Sequence, residues 1–270
     1  MSDQLDAFYI AEGDLFRGTR ATVGPWNPAL QHGSPPAALI GRALERLAPA
    51  GEAARKPDAE ARIARMSIEI LGPISLDPIA ISAEVVRPGK KIELLTAEAR
   101  AGGRTILRAN AWRIAVAPER CPAVGVDEPP PPLPGPQPDI RFFEQVESFP
   151  YGDALEWRFV EGDYGQPGPA VVWTRLRIPL LRGEDTSPLC RLLAMVDSAN
   201  GVSAELPLLR YTFVPVDLNI VLHRHPRGEW IGMDARTQIE PDGIGMTSTR
   251  LFDQHGYLGR SLHTLYVAPR

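Results

Sequence analysis

The chain has 270 residues, of which 44% are hydrophobic, and its formal net charge at pH 7 is -4. This length suffices for one large domain or two fused smaller ones. The charge gives no sign of the basic face that nucleic acid requires, and no stretch approaches the roughly 20 apolar residues of a membrane span. The opening MSDQLDAFYI lacks a basic segment followed by an apolar run. We therefore expect no signal peptide, a cytoplasmic protein, and free thiols at Cys121 and Cys190.

The first part of the chain predicts two extended segments, one helix and four strands. The extended segments lie near residues 7–11 and 14–23, and the helix runs from Ser34 to about Leu47. The strands that follow are ARMSIEIL, IAISAEVVR, KIELLTAEARA and RTILRANAWRIAV. The glycine-containing turns PGK and AGG separate consecutive strands, which is typical of hairpins.

A proline-rich segment, APERCPAVGVDEPPPPLPGPQP, follows at residues 117–138. Its prolines remove backbone donors and fix φ, so it predicts an extended connector without helix or sheet. We divide the chain accordingly into an N-terminal repeat at 1–116, a connector at 117–150 and a C-terminal repeat at 151–270.

The second part of the chain repeats the order of the first. Two strands precede a helix that begins at Ser187, continues to about Asn200 and is followed by four more strands. SPPAALIGRALERL aligns with SPLCRLLAMVDSAN at a spacing of 153 residues, MSIEILGP with DLNIVLHR at 151, and ILRANAWRIA with LGRSLHTLYV at 152. This regularity predicts an internal duplication. A helix with one apolar stripe, followed by a meander of long strands, favours a curved antiparallel sheet wrapped around the helix. We therefore predict an α+β fold, a double hot-dog.

The second helix carries an acid at the end of its apolar stripe. Leu189, Leu193 and Val196 share the inward face, and Asp197 follows one turn beyond Leu193. Burying a carboxylate costs several kcal/mol unless it is paired. At the spacing of 153 residues Asp197 falls on Leu44, so a single acid in a duplicated fold predicts a single active site. We expect a raised pKa and a role as base or nucleophile; the alternative is an internally paired structural residue.

The first helix begins with the sequence HGSPP. Unpaired N–H groups and the positive dipole end at a helix start suit an oxyanion, and glycine lets a ligand approach the backbone. His32, Gly33 and Ser34 are therefore candidate substrate-binding residues. The alternative is that His32 and Gly33 only shape the turn into the helix.

Three segments together resemble a known family. WNPALQHGSPPAALIGRAL is similar to the segment that leads into the helix of double hot-dog acyl-CoA thioesterases, and AMVDSANG resembles their helix with the catalytic aspartate, which lands on Asp197. FVPVDLNIVLHRHPRGEWIGM is similar to a TesB-type segment that contains D-H-S, an aromatic residue and H-R-P, with Asp217, His223 and Arg224 at matching positions. The resemblance implies a thioesterase that acts on acyl-CoA.

The chain departs from this family at two polar positions. TesB-type enzymes orient the attacking water with an aspartate, a threonine and a glutamine. Here Pro215 stands at the threonine position and His263 at the glutamine position. The resemblance thus implies Asp197 and His263 as catalytic residues, and Thr212 and Asn219 as neighbours able to compensate at the substrate. The sequence leaves open whether His263 faces the groove or the solvent.

Three functions fit these observations. The first is hydrolysis of a fatty acyl-CoA to free acid and CoA by carboxylate-assisted attack of water. The second is non-catalytic binding of acyl-CoA or an acyl carrier. The third is a hot-dog hydratase or dehydratase, although the D-x-x-x-x-H spacing of such enzymes is missing near Ser34 and Ser187. His223 and His225 lack further ligands at metal-site spacing, so we expect neither metal nor cofactor. Homo-oligomerisation stays open.

Overall fold

The computed structural model describes residues 5–51, 56, 60–117, 120–125, 128–137, 142 and 148–270. The N-terminal part consists of β1 (Tyr9–Glu12), β2 (Leu15–Gly18), α1 (Ser34–Arg46), β3 (Ala61–Ile70), β4 (Ile79–Arg87), β5 (Ile92–Ala101) and β6 (Arg104–Ala115). The C-terminal part consists of α2 (Pro150–Asp153), β7 (Leu155–Asp163), β8 (Gln166–Leu176), α3 (Pro188–Val196), α4 (Ala199–Val202), β9 (Tyr211–Pro215), β10 (Asp217–Leu222), β11 (Ile231–Ile239), β12 (Ile244–Asp253) and β13 (Gly256–Pro269). No helix among these residues is long and apolar enough to cross a membrane.

The strands form one antiparallel sheet in which the two copies join edge to edge. The order is β1-β2-β4-β5-β6-β3-β10-β13-β12-β11-β8-β7, and β9 pairs with β13 beside this path. The join is the pairing of β3 with β10, so the innermost strand of each copy covers the edge of the other. Helix α1 packs against β3, β4, β5 and β6, while α3 packs against β8 and β11. The predicted double hot-dog is confirmed.

The strand registers fix the spacing of the duplication at 152 residues. Ser67 lies opposite Asn219 at the centre of the join, where a twofold axis must relate a residue to its own counterpart. Three further pairings recur at the same spacing. They are Ser67–Asn110 with Asn219–Leu262, Leu95–Ala111 with Thr247–His263, and Ala83–Ala97 with Ala235–Thr249.

The two helices pack on each other in the middle of the fold. Leu193 lies so close to Gly41 that a Cβ there would be 2.2 Å from Leu193 Cδ1, and Cys190 Sγ donates to the carbonyl of Ala38 at 3.5 Å. Both contacts join residues 152 apart, as in the strands. At this spacing Asp197 falls on Glu45, one residue beyond the Leu44 expected from the helix alignment.

A β-bulge shapes the sheet where β9 passes into β10. Both strands pair with β13, but three residues, 216–218, face only two on β13, 263–264. The extra residue leaves the backbone N–H of Thr264 without a strand partner, and Asp217 Oδ1 accepts it at 2.6 Å. The bulge brings the segment from Val214 to Val216 to the cavity described below.

The described part of the proline-rich segment contains neither helix nor strand and lies along the C-terminal copy. Trp173 Nε1 donates to the carbonyl of Pro132 at 3.1 Å, and Arg158 Nη1 donates to that of Pro134 at 2.8 Å. Side chains of the C-terminal copy therefore donate the hydrogen bonds that these proline carbonyls accept. Residues 118–119, 126–127, 138–141 and 143–147 lie outside the described residues, and the division at 1–116, 117–150 and 151–270 stays a prediction.

Candidate functional site

Asp197 lies at the end of α3 between two imidazoles. Its Oδ2 is 3.5 Å from His32 Nδ1, and its Oδ1 is 3.6 Å from His263 Nε2. The Asp197 side chain is 5% exposed, and those of His32 and His263 are 11% and 0% exposed. The three side chains come from the segment before α1, from α3 and from β13. The fold therefore gathers a buried acid and two nitrogen bases from both copies.

Gly33 brings the start of α1 against this carboxylate. A Cβ on Gly33 would lie 2.7 Å from Asp197 Oδ2, a distance that real Cβ contacts do not reach. Its φ of -68° is open to any residue, so the close approach, not the backbone conformation, requires glycine. The backbone N–H of Gly33 thereby lies close enough to the Asp197 carboxylate to lower its pKa.

Asp197 is ionised at neutral pH. Burial by itself raises the pKa of a carboxyl group, but the adjacent His263 and the Gly33 N–H outweigh it and hold the pKa of Asp197 below its usual range. The raised pKa expected from the apolar stripe is thus wrong in direction, because the stripe gives no sign of the polar groups that meet the acid. A buried carboxylate that stays charged is able to accept a proton.

His32 is held neutral in one tautomer. The backbone N–H of Ser34 donates to His32 Nδ1 at 3.1 Å, so the ring proton resides on Nε2. Burial lowers the pKa of His32, against the opposing charge of Asp197, and His263 lowers it further. The imidazole also lies flat on the ring of Tyr151, with centroids 3.9 Å apart and planes 4° from parallel.

Few donors are left at the start of α1. The N–H of Ser34 is used by His32, Pro35 and Pro36 have none, and that of Ala37 donates to the carbonyl of Gly33 at 3.2 Å. Gly33 therefore offers the backbone donor that faces the acid. Ser34 itself is fully buried behind it.

His263 points inward from β13, which answers the question the sequence left open. Within the described part of the chain neither of its ring nitrogens has a hydrogen-bond partner. At the spacing of 152 residues its counterpart is Ala111, also fully buried. One copy thus has a methyl group where the other places an imidazole beside the acid.

An apolar cavity of about 340 Å³ opens onto Asp197. Its polar end is formed by Gln31, His32, Gly33, Asp197 and Asn200. Its apolar walls are formed by Trp26, Leu30, Ile70, Leu71, Pro73, Ile74, Val214, Pro215 and Val216. Leu71 and Val216 are 48% and 42% exposed, which places them at the mouth. The size and lining are those of small-molecule sites, and Pro215 extends the apolar wall.

The structure does not bring the other predicted residues to this cavity. Asn219 lies on the outward face of β10, where Ser67 Oγ donates to its Oδ1 at 2.7 Å and its Nδ2 donates to Asp217 Oδ2 at 2.8 Å. Thr212 pairs with Ala268 at the other end of β9 and is not among the described lining residues. Alternation of side chains along a strand separates Asn219 from Leu218, which faces the core.

The remaining motif residues also have structural partners. Arg224 forms a bidentate ion pair with Asp253, at 2.5 and 2.7 Å, and His223 Nε2 lies 3.0 Å from the carbonyl of Tyr257. Within the described ranges, no group of three or more histidines, cysteines and acids is arranged to hold a metal ion. Sequence reasoning missed Tyr151, which lies in no recognisable motif, and Asn200, which lies in AMVDSANG but was not singled out.

Comparison with known proteins gives two family matches. The family described as the acyl-CoA thioesterase N-terminal domain matches residues 22–114, and that described as the acyl-CoA thioesterase C-terminal domain matches residues 118–267. Together they span both copies and contain every residue at the polar end of the cavity. No curated protein sequence matches the chain.

Solved structures share the fold at low sequence identity. A hot-dog protein of unknown function from Alicyclobacillus acidocaldarius is 18% identical to this chain, with a TM-score of 0.70. The match covers 98% of this chain and 97% of that protein. The tesB protein of Mycobacterium avium subs paratuberculosis is 14% identical with a TM-score of 0.66, covering 97% and 96%. Acyl-CoA thioesterase II TesB2 of Mycobacterium marinum is 18% identical with a TM-score of 0.61, covering 96% and 92%.

Proposed function

Because the chain belongs to the acyl-CoA thioesterase family, we propose that it hydrolyses a fatty acyl-CoA to the free acid and CoA, with Asp197 as the base that activates water. The observation that carries this proposal is the ionised carboxylate at the polar end of an apolar cavity, against the Gly33 N–H and between two imidazoles. The apolar walls accept the acyl chain, and the polar end receives the thioester.

In the first step, Asp197 takes a proton from water while the water oxygen bonds to the thioester carbon. The carbonyl oxygen becomes an oxyanion and is held by the Gly33 N–H and by the proton on His32 Nε2. A neutral imidazole suits this role, because it donates a hydrogen bond without neutralising the nearby carboxylate. His263, whose ring nitrogens are unpartnered within the described residues, orients the water in the place of the family's glutamine.

In the second step, the tetrahedral intermediate breaks its carbon–sulfur bond. The electron pair leaves with the sulfur of CoA, which takes the proton from Asp197. One water and one acyl-CoA have then become one carboxylic acid and one CoA, and Asp197 is again ionised. The base returns to its starting state without an external proton donor.

The site supports hydrolysis over the other two functions. A dehydratase needs a nitrogen base to remove a proton next to the carbonyl. His32 is the imidazole among the described lining residues of the cavity, but its Nδ1 already accepts the N–H of Ser34 and its Nε2 carries the proton. A binding protein does not need a charged acid at the reacting end, where its burial is unfavourable. The non-catalytic function is therefore an outcome of the experiment, not a second proposal.

The experiment measures thiol release from a panel of acyl-CoAs of increasing chain length. Asp197→Asn keeps the shape of the side chain and removes the base, so we expect kcat/KM to fall by about 10²–10⁴. His263→Ala is a second probe and should lower kcat more than it raises KM. Melting temperatures confirm that each variant is folded. A fully active Asp197→Asn protein would refute the mechanism, and acyl-CoA binding without turnover by the natural chain would establish the non-catalytic function.

A further inference from the structure

Helix α3 ends at a break immediately beside Asp197. The sequence predicts one helix to about Asn200, but α3 stops at Val196 and α4 starts at Ala199. At the break, the N–H of Ser198 donates to the carbonyl of Met195 at 3.0 Å, three residues back. A continuing α-helix would send that N–H to Ala194 instead. The carbonyl of Ala194 is therefore left without its helical partner, in the buried part of the fold.

The hydroxyl of Tyr151 takes the place of this missing helical hydrogen-bond donor. Its hydroxyl donates to the carbonyl of Ala194 at 2.9 Å, and it lies 2.9 Å from Ser198 Oγ. A carbonyl only accepts, so the phenol proton goes to Ala194 and the Ser198 hydroxyl donates to the phenol oxygen. Burial raises the pKa of Tyr151, which keeps this proton in place. The two residues that Tyr151 binds stand on either side of Asp197 in the chain.

The same side chain also fixes His32. The Tyr151 ring provides the flat surface on which the imidazole stacks, and the Tyr151 backbone N–H donates to the carbonyl of Val23 at 3.1 Å. Tyr151 has no exposed surface. One residue from α2 thus contacts both the helix break beside Asp197 and the imidazole before α1.

We propose that Tyr151 is a positioning residue for thioester hydrolysis: its hydroxyl stabilises the helix break that directs Asp197, and its ring sets the plane of His32. This inference rests on the proposed function. Without the hydroxyl, α3 is free to close its regular hydrogen bond between Ser198 and Ala194, which would rotate Asp197 away from Gly33. A displacement of about 1 Å in a reacting group costs on the order of 10²-fold in rate.

The test compares three variants of the full chain with acyl-CoA as the probe. Tyr151→Phe keeps the stacked ring and removes the hydroxyl, and Tyr151→Leu removes both. Trp157→Phe is the matched control, because it deletes a buried hydrogen bond of similar length, from Trp157 Nε1 to the carbonyl of Gly152 at 2.9 Å, beside the same short helix. We expect Tyr151→Phe to lower kcat by about 10–100-fold with KM changed by less than about threefold, Tyr151→Leu to lower it further, and Trp157→Phe to stay within about twofold.

A second measurement separates positioning from general stabilisation. In an Asp197→Asn background, Tyr151→Phe should cause little further loss of kcat, because the group it positions is already gone. Ser198→Ala, which removes the hydroxyl that donates to the phenol, serves if Tyr151→Phe does not fold, and we expect about a 3–10-fold loss of kcat.

Two results would overturn different statements. Suppose that Tyr151→Phe or Ser198→Ala lowers the melting temperature by as much as Trp157→Phe does and has the same kcat as Trp157→Phe. Tyr151 is then structural, and the proposal that Asp197 activates water is unaffected. If Asp197→Asn itself is fully active, the proposed function fails first.

Discussion

Asp197 and Glu45 lie at corresponding positions of the two copies, and each reaches the start of the opposite helix. Asp197 Oδ2 meets Gly33 before α1, while Glu45 Oε2 accepts a hydrogen bond from Ser187 Oγ at 2.5 Å and lies 3.4 Å from Cys190 Sγ at the start of α3. Beside Glu45, an ion pair between Arg42 and Glu184 at 2.8 Å borders a cavity of only about 80 Å³. The duplication therefore holds two acids in related places, and one of them adjoins a cavity large enough for a substrate.

Glu45→Gln is accordingly a matched control for Asp197→Asn. The amide oxygen of glutamine still accepts from Ser187, so we expect kcat/KM to stay within about twofold. Asp197→Asn removes the same charge from the other copy and should lower kcat/KM by about 10²–10⁴. Steady-state thiol release with one acyl-CoA measures both. Equal losses in the two variants would contradict the assignment of a single reacting acid.

Gly33→Ala should inactivate the protein without unfolding it. The added methyl group meets Asp197 Oδ2 at 2.7 Å, so the carboxylate or the start of α1 must move. We expect kcat/KM to fall by about 10²-fold or more. Gly135→Ala is the control, because no atom lies within 4 Å of a Cβ at that position. Full activity of Gly33→Ala at unchanged melting temperature would show that this close approach is not needed for turnover.

The stability of the protein should fall as the pH drops below the ordinary pKa of histidine, about 6.5. Burial lowers the pKa of His32 in the fold, so the unfolded chain binds more protons in this range. The contribution of His32 is fully present above pH 6.5 and is lost as the pH falls towards its folded pKa. The lowered pKa of Asp197 acts in the same direction, but at more acidic pH.

His32→Gln isolates this effect because glutamine does not titrate. We expect the melting temperature of the natural chain to drop by a few degrees more than that of His32→Gln between about pH 7 and pH 5, on the order of 2–4 °C for each kcal/mol lost. Parallel curves for the two proteins would contradict a buried neutral imidazole.

Leu71→Asp should weaken binding of long acyl chains. Leu71 is 48% exposed at the mouth of the cavity, where an acyl chain would cover it. A fully buried leucine contributes about 1.5–3 kcal/mol, so we expect KM for long-chain acyl-CoA to rise about tenfold, with little change for acetyl-CoA. Val86→Asp is the control, since Val86 is 53% exposed on β4 and is not among the described lining residues. If KM changes with chain length in the same way in Leu71→Asp and Val86→Asp, the acyl chain does not lie against Leu71.

Much of the fold follows from local patterns. Pro35 and Pro36 mark the start of α1, which was predicted from Ser34 to about Leu47 and runs from Ser34 to Arg46. The duplication was visible as well, but its helix spacing of 153 differs by one residue from the 152 of the strands. This difference of one residue is why Asp197 aligned with Leu44 and not with Glu45. Because one residue turns a helix by about 100°, the two positions lie on different sides of α1.

The site was predicted in part. Asp197, His32 and Gly33 meet at the cavity, and His263 lies beside Asp197, because these residues lie on elements whose order and packing the sequence indicates. Asn219 does not, although the alternation of Leu218, Ile220 and Leu222 already placed it on the outward face. Two features depend on contacts between distant segments, which no local pattern contains. They are the direction of the pKa shift of Asp197 and the proposed positioning role of Tyr151.

The contacts of Asp217 change what the similarity around it reports. This aspartate accepts the Thr264 N–H that the bulge between β9 and β10 leaves free, and it is not among the described lining residues of the apolar cavity. In this chain the aspartate therefore stabilises the bend of that strand. The resemblance around Asp217 thus concerns the curvature of the sheet in this chain, while the residues proposed for thioester chemistry lie elsewhere, at the end of α3 and on β13.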